Sequence, residues 1–107
     1  MTSTTQPTTY NGWTNYETWN VKLWMDNEYD FYRFWQEMAR VTSQQEVNTV
    51  LHETHAIVLA NKIKEIVTEQ APDLGACMYA DLLGAALSEV NWYEIAESLL
   101  EDASDDQ

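Results

Sequence analysis

The sequence predicts an all-α fold, a compact bundle of four to five helices in a single domain with a flexible polar N-terminal arm. Three observations carry that expectation. Chain breakers are scarce, with three Gly and two Pro in 107 residues, and Pro7 and Pro72 both fall in segments read as non-helical. Apolar residues recur at helical spacing, with no Val/Ile/Thr alternation of the kind a half-buried strand needs. Three capping patterns punctuate the chain: Thr14-Asn15-Tyr16-Glu17, Ser43-Gln44-Gln45-Glu46 and Asn91-Trp92-Tyr93-Glu94. The length suits one domain with a real core, and 45% apolar content is that of an ordinary globular protein.

Taken in order, residues 1–12 read as the arm, ending in the turn dipeptide Asn11-Gly12. Residues 13–103 form the helical domain, and 104–107 an acidic tail. The first helix should run to about residue 27 with Tyr16, Trp19, Leu23 and Trp24 on its apolar face. A second, 29–41, places Phe31, Phe34, Trp35 and Met38 together. The longest opens at the second capping pattern and runs to about Gln70, with Val47, Val50, Leu51, Val58, Ile63, Ile66 and Val67 apolar. Ala71-Pro72-Asp73 ends it, because the residue before a proline is pushed out of the α region. A fourth, 74–89, carries Tyr79, Leu82, Leu83 and Leu87, with Ala76, Ala80 and Gly84 small enough for close helix approach. The last shows the stripe Trp92, Ile95, Ala96, Leu99, Leu100 and Ala103. The first three helices are expected to pack around the Leu/Ala-rich fourth.

The charge is one-sided. All five basic residues lie in the first 64 positions, where the formal balance is −2, and the remaining 43 residues carry −11 of the total −13. Such a potential repels nucleic acid and membrane headgroups and attracts basic protein surfaces, most strongly at low salt. The lone Cys77 leaves no intramolecular disulfide. The polar N-terminus lacks the basic and apolar regions of a signal peptide, and no apolar run approaches a membrane span. A cytoplasmic location is expected.

Ten of the thirteen aromatic residues lie between Tyr10 and Trp35. A stacking platform for single strands needs a basic groove, and only Lys22, Arg33 and Arg40 are near. Direct nucleic-acid binding is therefore not expected; the rings should mainly fill the core, with Trp13, Tyr16 and Trp19 as candidate anchors for a protein partner. This block also carries a resemblance. The run Asn11-Gly12-Trp13-Thr14-Asn15-Tyr16-Glu17-Thr18-Trp19-Asn20-Val21, followed by Leu23-Trp24 and Asp26-Asn27, resembles the opening of a family of small acidic proteins of bacteriophages, plasmids and some bacterial genomes. The run Ala80-Asp81-Leu82-Leu83-Gly84-Ala85-Ala86-Leu87-Ser88-Glu89-Val90-Asn91-Trp92 resembles that family's second hallmark. The resemblance implies a mobile-element setting and supplies no catalytic residues.

Other constellations are weaker. Asp26, Glu28, Asp30 and Glu37 match positions of a calcium loop, but Phe31 stands where that loop needs Gly. His52 and His55 are three apart, not the four of the zinc-protease helix, and no third ligand follows by spacing. No phosphate loop, nucleophile elbow or Ser/His/Asp arrangement is present, so neither metal, cofactor nor enzymatic activity is expected. The strongest candidate is an acidic face formed by Glu89, Glu94, Glu97, Glu101, Asp102 and Asp105. On a helix, Glu94, Glu97, Glu101 and Asp105 recur every ~5–6 Å opposite the apolar stripe. The charge density is of the order of a DNA strand, about one per 3.4 Å. Like charges at i, i+4 repel, and anions near a helix C-terminus oppose the macrodipole. The expected function is a non-enzymatic acidic binding protein for a basic host protein surface, with DNA mimicry its sharpest form. The alternatives are an assembly accessory acting through exposed aromatics, and a metal-binding protein.

Overall fold

The computed structural model describes residues 10–105, with side chains to Ser104. The expected properties of residues 1–9 and of the end of the acidic tail lie outside the described residues. Among the described residues five α-helices follow one another: α1 (Tyr16–Asn27), α2 (Tyr29–Ser43), α3 (His55–Gln70), α4 (Met78–Ser88) and α5 (Trp92–Asp105). A short 3-10 turn, Thr49–Leu51, lies between α2 and α3. Among the described residues there is no strand, only an isolated bridge between Tyr10 and Trp13. That bridge makes residues 10–13 a tight turn. Asn11 and Gly12 both take positive φ there, 49° and 90°, a backbone that Asn and Gly tolerate best.

The core is built around α5. Ile95, Ala96 and Leu99 are buried, and Trp92, Leu100 and Ala103 pack partly buried against the core, so the stripe expected for this helix holds. α5 packs chiefly on α3, through Leu59, Ala60 and Ile63, and on α2, through Trp35 and Ala39. α1 leans on α2 and adds Met25. Trp35 is the largest buried side chain, with Phe31 and Phe34 edge-on at 5.6 and 4.9 Å between ring centroids. On the outer face of α2, Arg40 donates from Nε to Glu37 Oε1 at 3.0 Å. That bond holds the Glu37 carboxyl below its ordinary pKa.

Four expectations change. The face of α1 is reversed: Thr18, Lys22 and Met25 are buried, whereas Tyr16, Leu23 and Trp24 are exposed. Periodicity selected the more apolar side of α1, and contacts with α5, described below, override it. Of the ten rings in the N-terminal block, Trp35 alone is fully buried. The long third helix is shorter than expected, because Ser43 closes α2 instead of opening α3. Between them, Asn48 caps the 3-10 turn, His52 takes φ 60°, and Thr54 Oγ1 accepts from Ile57 N–H at 3.1 Å to start α3. Val50 and Leu51 are consequently left exposed in the connection.

The fourth difference is the largest. α4 has no buried residue and makes at most marginal contact with the other helices. The chain leaves α3 at Ala71, turns at Gly75 (φ 71°), where Asp73 Oδ1 accepts the Gly75 N–H at 3.1 Å, and enters α4 beside the bundle. Gly84 gives no helix a close approach, since a Cβ built there meets nothing within 4 Å. The bundle centre that the sequence assigned to α4 belongs to α5. Composition misled because an apolar helix can be central or merely uncovered, and the two look alike in sequence.

Two stability experiments separate these roles. In urea denaturation at low protein concentration, Leu99→Ala should cost about 2–5 kcal/mol, the cavity range for a buried leucine. Gly84→Ala should raise stability by up to about 1 kcal/mol, because helix propensity improves and no neighbour is displaced.

Candidate functional site

The two sequence motifs meet. Asn15, the residue before α1, accepts at Oδ1 from both the Thr18 N–H (2.9 Å) and the Thr18 hydroxyl (2.6 Å). The Asn15 amide in turn donates to the Glu89 carbonyl at 2.7 Å. Thr18 Oγ1 accepts the Asn91 backbone N–H at 2.8 Å, and the Asn91 side chain donates to Thr14 Oγ1 at 3.3 Å. Asn91 Oδ1 caps α5 by accepting the Glu94 N–H at 3.0 Å. Glu94 Oε1 accepts the Thr14 N–H at 3.1 Å. The start of α1 and the start of α5 thus cap each other across more than seventy residues of sequence.

This corrects the first capping pattern. Asn15, not Thr14, caps α1, and Glu17 makes no capping bond. The third pattern holds in its forward half, Asn91 to Glu94, while the return bond to the Asn91 N–H comes from Thr18 on another helix. An open groove of about 630 Å³ lies over this junction, with Lys64 and Asn61 of α3 on its far side. Several of its polar atoms, on Thr14, Asn15 and Asn91, are already engaged within the fold.

The acidic face divides into two parts. Glu94 is half-buried and holds the turn before α1, so its first role is structural. Glu97, Glu101 and Asp102 are exposed, and among the described residues none forms an ion pair. The ion pairs present there are Lys22–Asp26 and Arg40–Glu37, both away from α5. Glu89 is exposed at the C-terminal cap of α4, where its carbonyl serves Asn15. Asp105 lies in α5, but its side chain is outside the described residues. α5 has no basic residue in its last turn.

The candidate aromatics adjoin this ridge. Trp13 is partly buried against the core and, with Gly12, forms the wall of a shallow cleft of about 360 Å³ whose other side is Glu94, Glu97, Ser98 and Glu101. Tyr16 and Trp19 point away from the core and join Tyr10 in a ring cluster, with centroids 5.0–5.6 Å apart. Tyr16 is 50% exposed. Tyr10, assigned by sequence to the arm, was therefore missed as a member; the Asn11-Gly12 turn that folds it back was the visible signal.

The metal-like spacings are spread over unrelated positions. Asp26 is tied to Lys22 at 2.6 Å, Glu37 to Arg40, and Glu28 is the extended residue between α1 and α2. His55 Nε2 lies 2.7 Å from the Gln45 carbonyl, while His52 sits exposed at the end of the 3-10 turn. Among the described residues no group of three or more His, Cys, Asp or Glu is placed to hold a metal ion. No described helix is long and apolar enough to cross a membrane.

The capping junction can be tested through Thr18. Thr18→Val keeps the shape and removes the hydroxyl, leaving the Asn91 N–H without its acceptor. A loss of about 1–3 kcal/mol in chemical denaturation is expected. Thr68→Val, on an exposed hydroxyl bonded only within α3, should change stability by less than about 0.5 kcal/mol.

Comparisons with curated proteins and with solved structures give no match. A protein-family comparison does match, over residues 6–104, a span that contains both motifs, the capping junction and the exposed acids Glu97, Glu101 and Asp102. The chain belongs to this family, the family of unknown function DUF7249.

Proposed function

We propose that the protein is a non-enzymatic binding protein that presents the acidic face of α5 to a basic protein surface. The observation that carries this reading is the set of exposed, unpaired carboxylates Glu97, Glu101 and Asp102 on a helix pinned from behind by Ile95, Ala96 and Leu99. A fixed helix holds the charges in a definite row, where a frayed tail would not. Along the axis, Glu97 and Glu101 stand ~6 Å apart. Repulsion between them and the unfavourable macrodipole near the C-terminus are offset by the core contacts of the same helix. With a net charge of −13, the approach of a basic partner is accelerated at low salt.

In its sharpest form the reading is DNA mimicry by a phage or other mobile-element protein, directed at a host nucleic-acid-binding or defence factor. The resemblance of residues 11–27 and 80–92 to small acidic phage and plasmid proteins supplies that setting. A second reading rests on the Tyr10–Tyr16–Trp19 cluster, in which Tyr10 and Tyr16 are exposed and Trp19 is half-buried; it suits an assembly accessory gripping an apolar or cationic partner surface.

The two readings differ in salt response. Capture from a bacterial lysate at about 50 mM salt should recover basic proteins, and most should be lost at about 500 mM, where the screening length is only several Å. The variant Glu97→Gln/Glu101→Gln/Asp102→Asn should lose the same proteins at low salt while melting no lower than the wild type, since it relieves like-charge repulsion. An unchanged set of captured proteins would sink the acidic-face reading; loss on Tyr16→Ala/Trp19→Ala instead would favour the aromatic one.

A further inference from the structure

We propose that α4 is a self-association surface on which the α4 of a second copy of this chain docks antiparallel, across a two-fold axis at Leu82. Within its own chain the helix has no work to do in the core. Met78, Tyr79 and Leu82 are 62, 65 and 59% exposed, and no residue of α4 is buried. Together these three side chains leave roughly 400 Å² of mostly apolar surface in water, the size of the largest patch on many monomers.

The occupant is argued from charge, shape and area. Residues 74–88 contain one charged side chain, Asp81, in a chain of net charge −13. Charge depletion in an otherwise charged surface marks the centre of an interface. For two copies that repel one another elsewhere, α4 is the place where they can touch with least electrostatic cost. At about 100° per residue, Met78, Leu82, Ala85, Ala86 and Tyr79 fall in one arc, and Asp81 lies on its rim.

The arc is graded in size, bulky at its N-terminal end and small at its C-terminal end. Antiparallel pairing about Leu82 therefore sets Met78 opposite Ala86 and Tyr79 opposite Ala85, large against small, in both directions at once. A two-fold contact requires that self-complementarity. The area decides the strength. Twice roughly 400 Å² falls below the ~1,200 Å² of stable complexes, so the dimer is weak and reversible.

Sedimentation equilibrium of the intact protein across roughly 1–500 µM tests the proposal. The expected result is a shift from the 12.4 kDa chain mass toward twice that value. Raising salt from about 50 to about 500 mM should strengthen the association by screening the like charges, opposite in sign to capture through the α5 acids. Leu82→Glu should remain monomeric over the whole range with unchanged far-ultraviolet circular dichroism. In a Cys77→Ser background, Leu82→Cys should form an interchain disulfide on mild oxidation, and Glu65→Cys should not. A protein that is monomeric at every concentration and salt overturns the proposal, and so does a dimer that survives Leu82→Glu or fails to cross-link through position 82.

Discussion

The bond from the Asn91 N–H to the Thr18 hydroxyl ties the start of α5 to α1 and sets which side of α1 faces the core. Thr18 is fully buried, and its hydroxyl both accepts from α5 and donates to the cap of α1. A buried hydroxyl must keep its partners, because leaving them unpaired costs more than the bonds contribute when made. The rotation of α1 follows from that requirement. With Thr18 turned inward, Lys22 and Met25 turn inward too, one and two turns further along. The aromatic side of the helix is thereby delivered to the surface.

The same junction organises the candidate site. Thr14 and Asn15 are held against Glu89, Asn91 and Glu94, so the loop carrying Gly12 and Trp13 lies along α5. The acidic ridge and the ring cluster, which looked like two separate candidates in the sequence, become neighbours on either side of Trp13. Glu94 illustrates how a charged residue is divided between tasks: it sits in the first turn of α5, where the macrodipole favours an anion, and it accepts the Thr14 N–H. Glu97 and Glu101 lie beyond that turn and have no such structural engagement.

What the sequence made legible follows from where local rules govern. The helical class, the α5 stripe and the Asn91 cap depend on residues within a few positions of one another, and periodicity and capping rules find them. The start of α3 went astray because both Ser43 and Thr54 are plausible caps, and only the 3-10 turn around Asn48 decides between them. The orientation of α1 was not legible, since Tyr16, Trp19, Leu23 and Trp24 present a more apolar face than Thr18, Lys22 and Met25 do. A long-range polar contact overrides that preference. For the candidate site, spacing placed Glu97 and Glu101 opposite the apolar stripe, where both are exposed, whereas the structural engagement of Glu94 and the inclusion of Tyr10 required the tertiary junction.

The reciprocal capping of α1 and α5 also has a temporal side. The hydroxyl of Thr18 leaves the ribosome 73 residues before the amide it receives. Until then α1 has neither its cross-helix bond nor the α5 surface that orients it, and its apolar face is free to turn inward instead. Closing so long a loop adds little to the equilibrium cost, since loop entropy grows only logarithmically, but it slows the search. The orientation of α1 therefore waits on α5, which acts as the template that sets which side of α1 faces water.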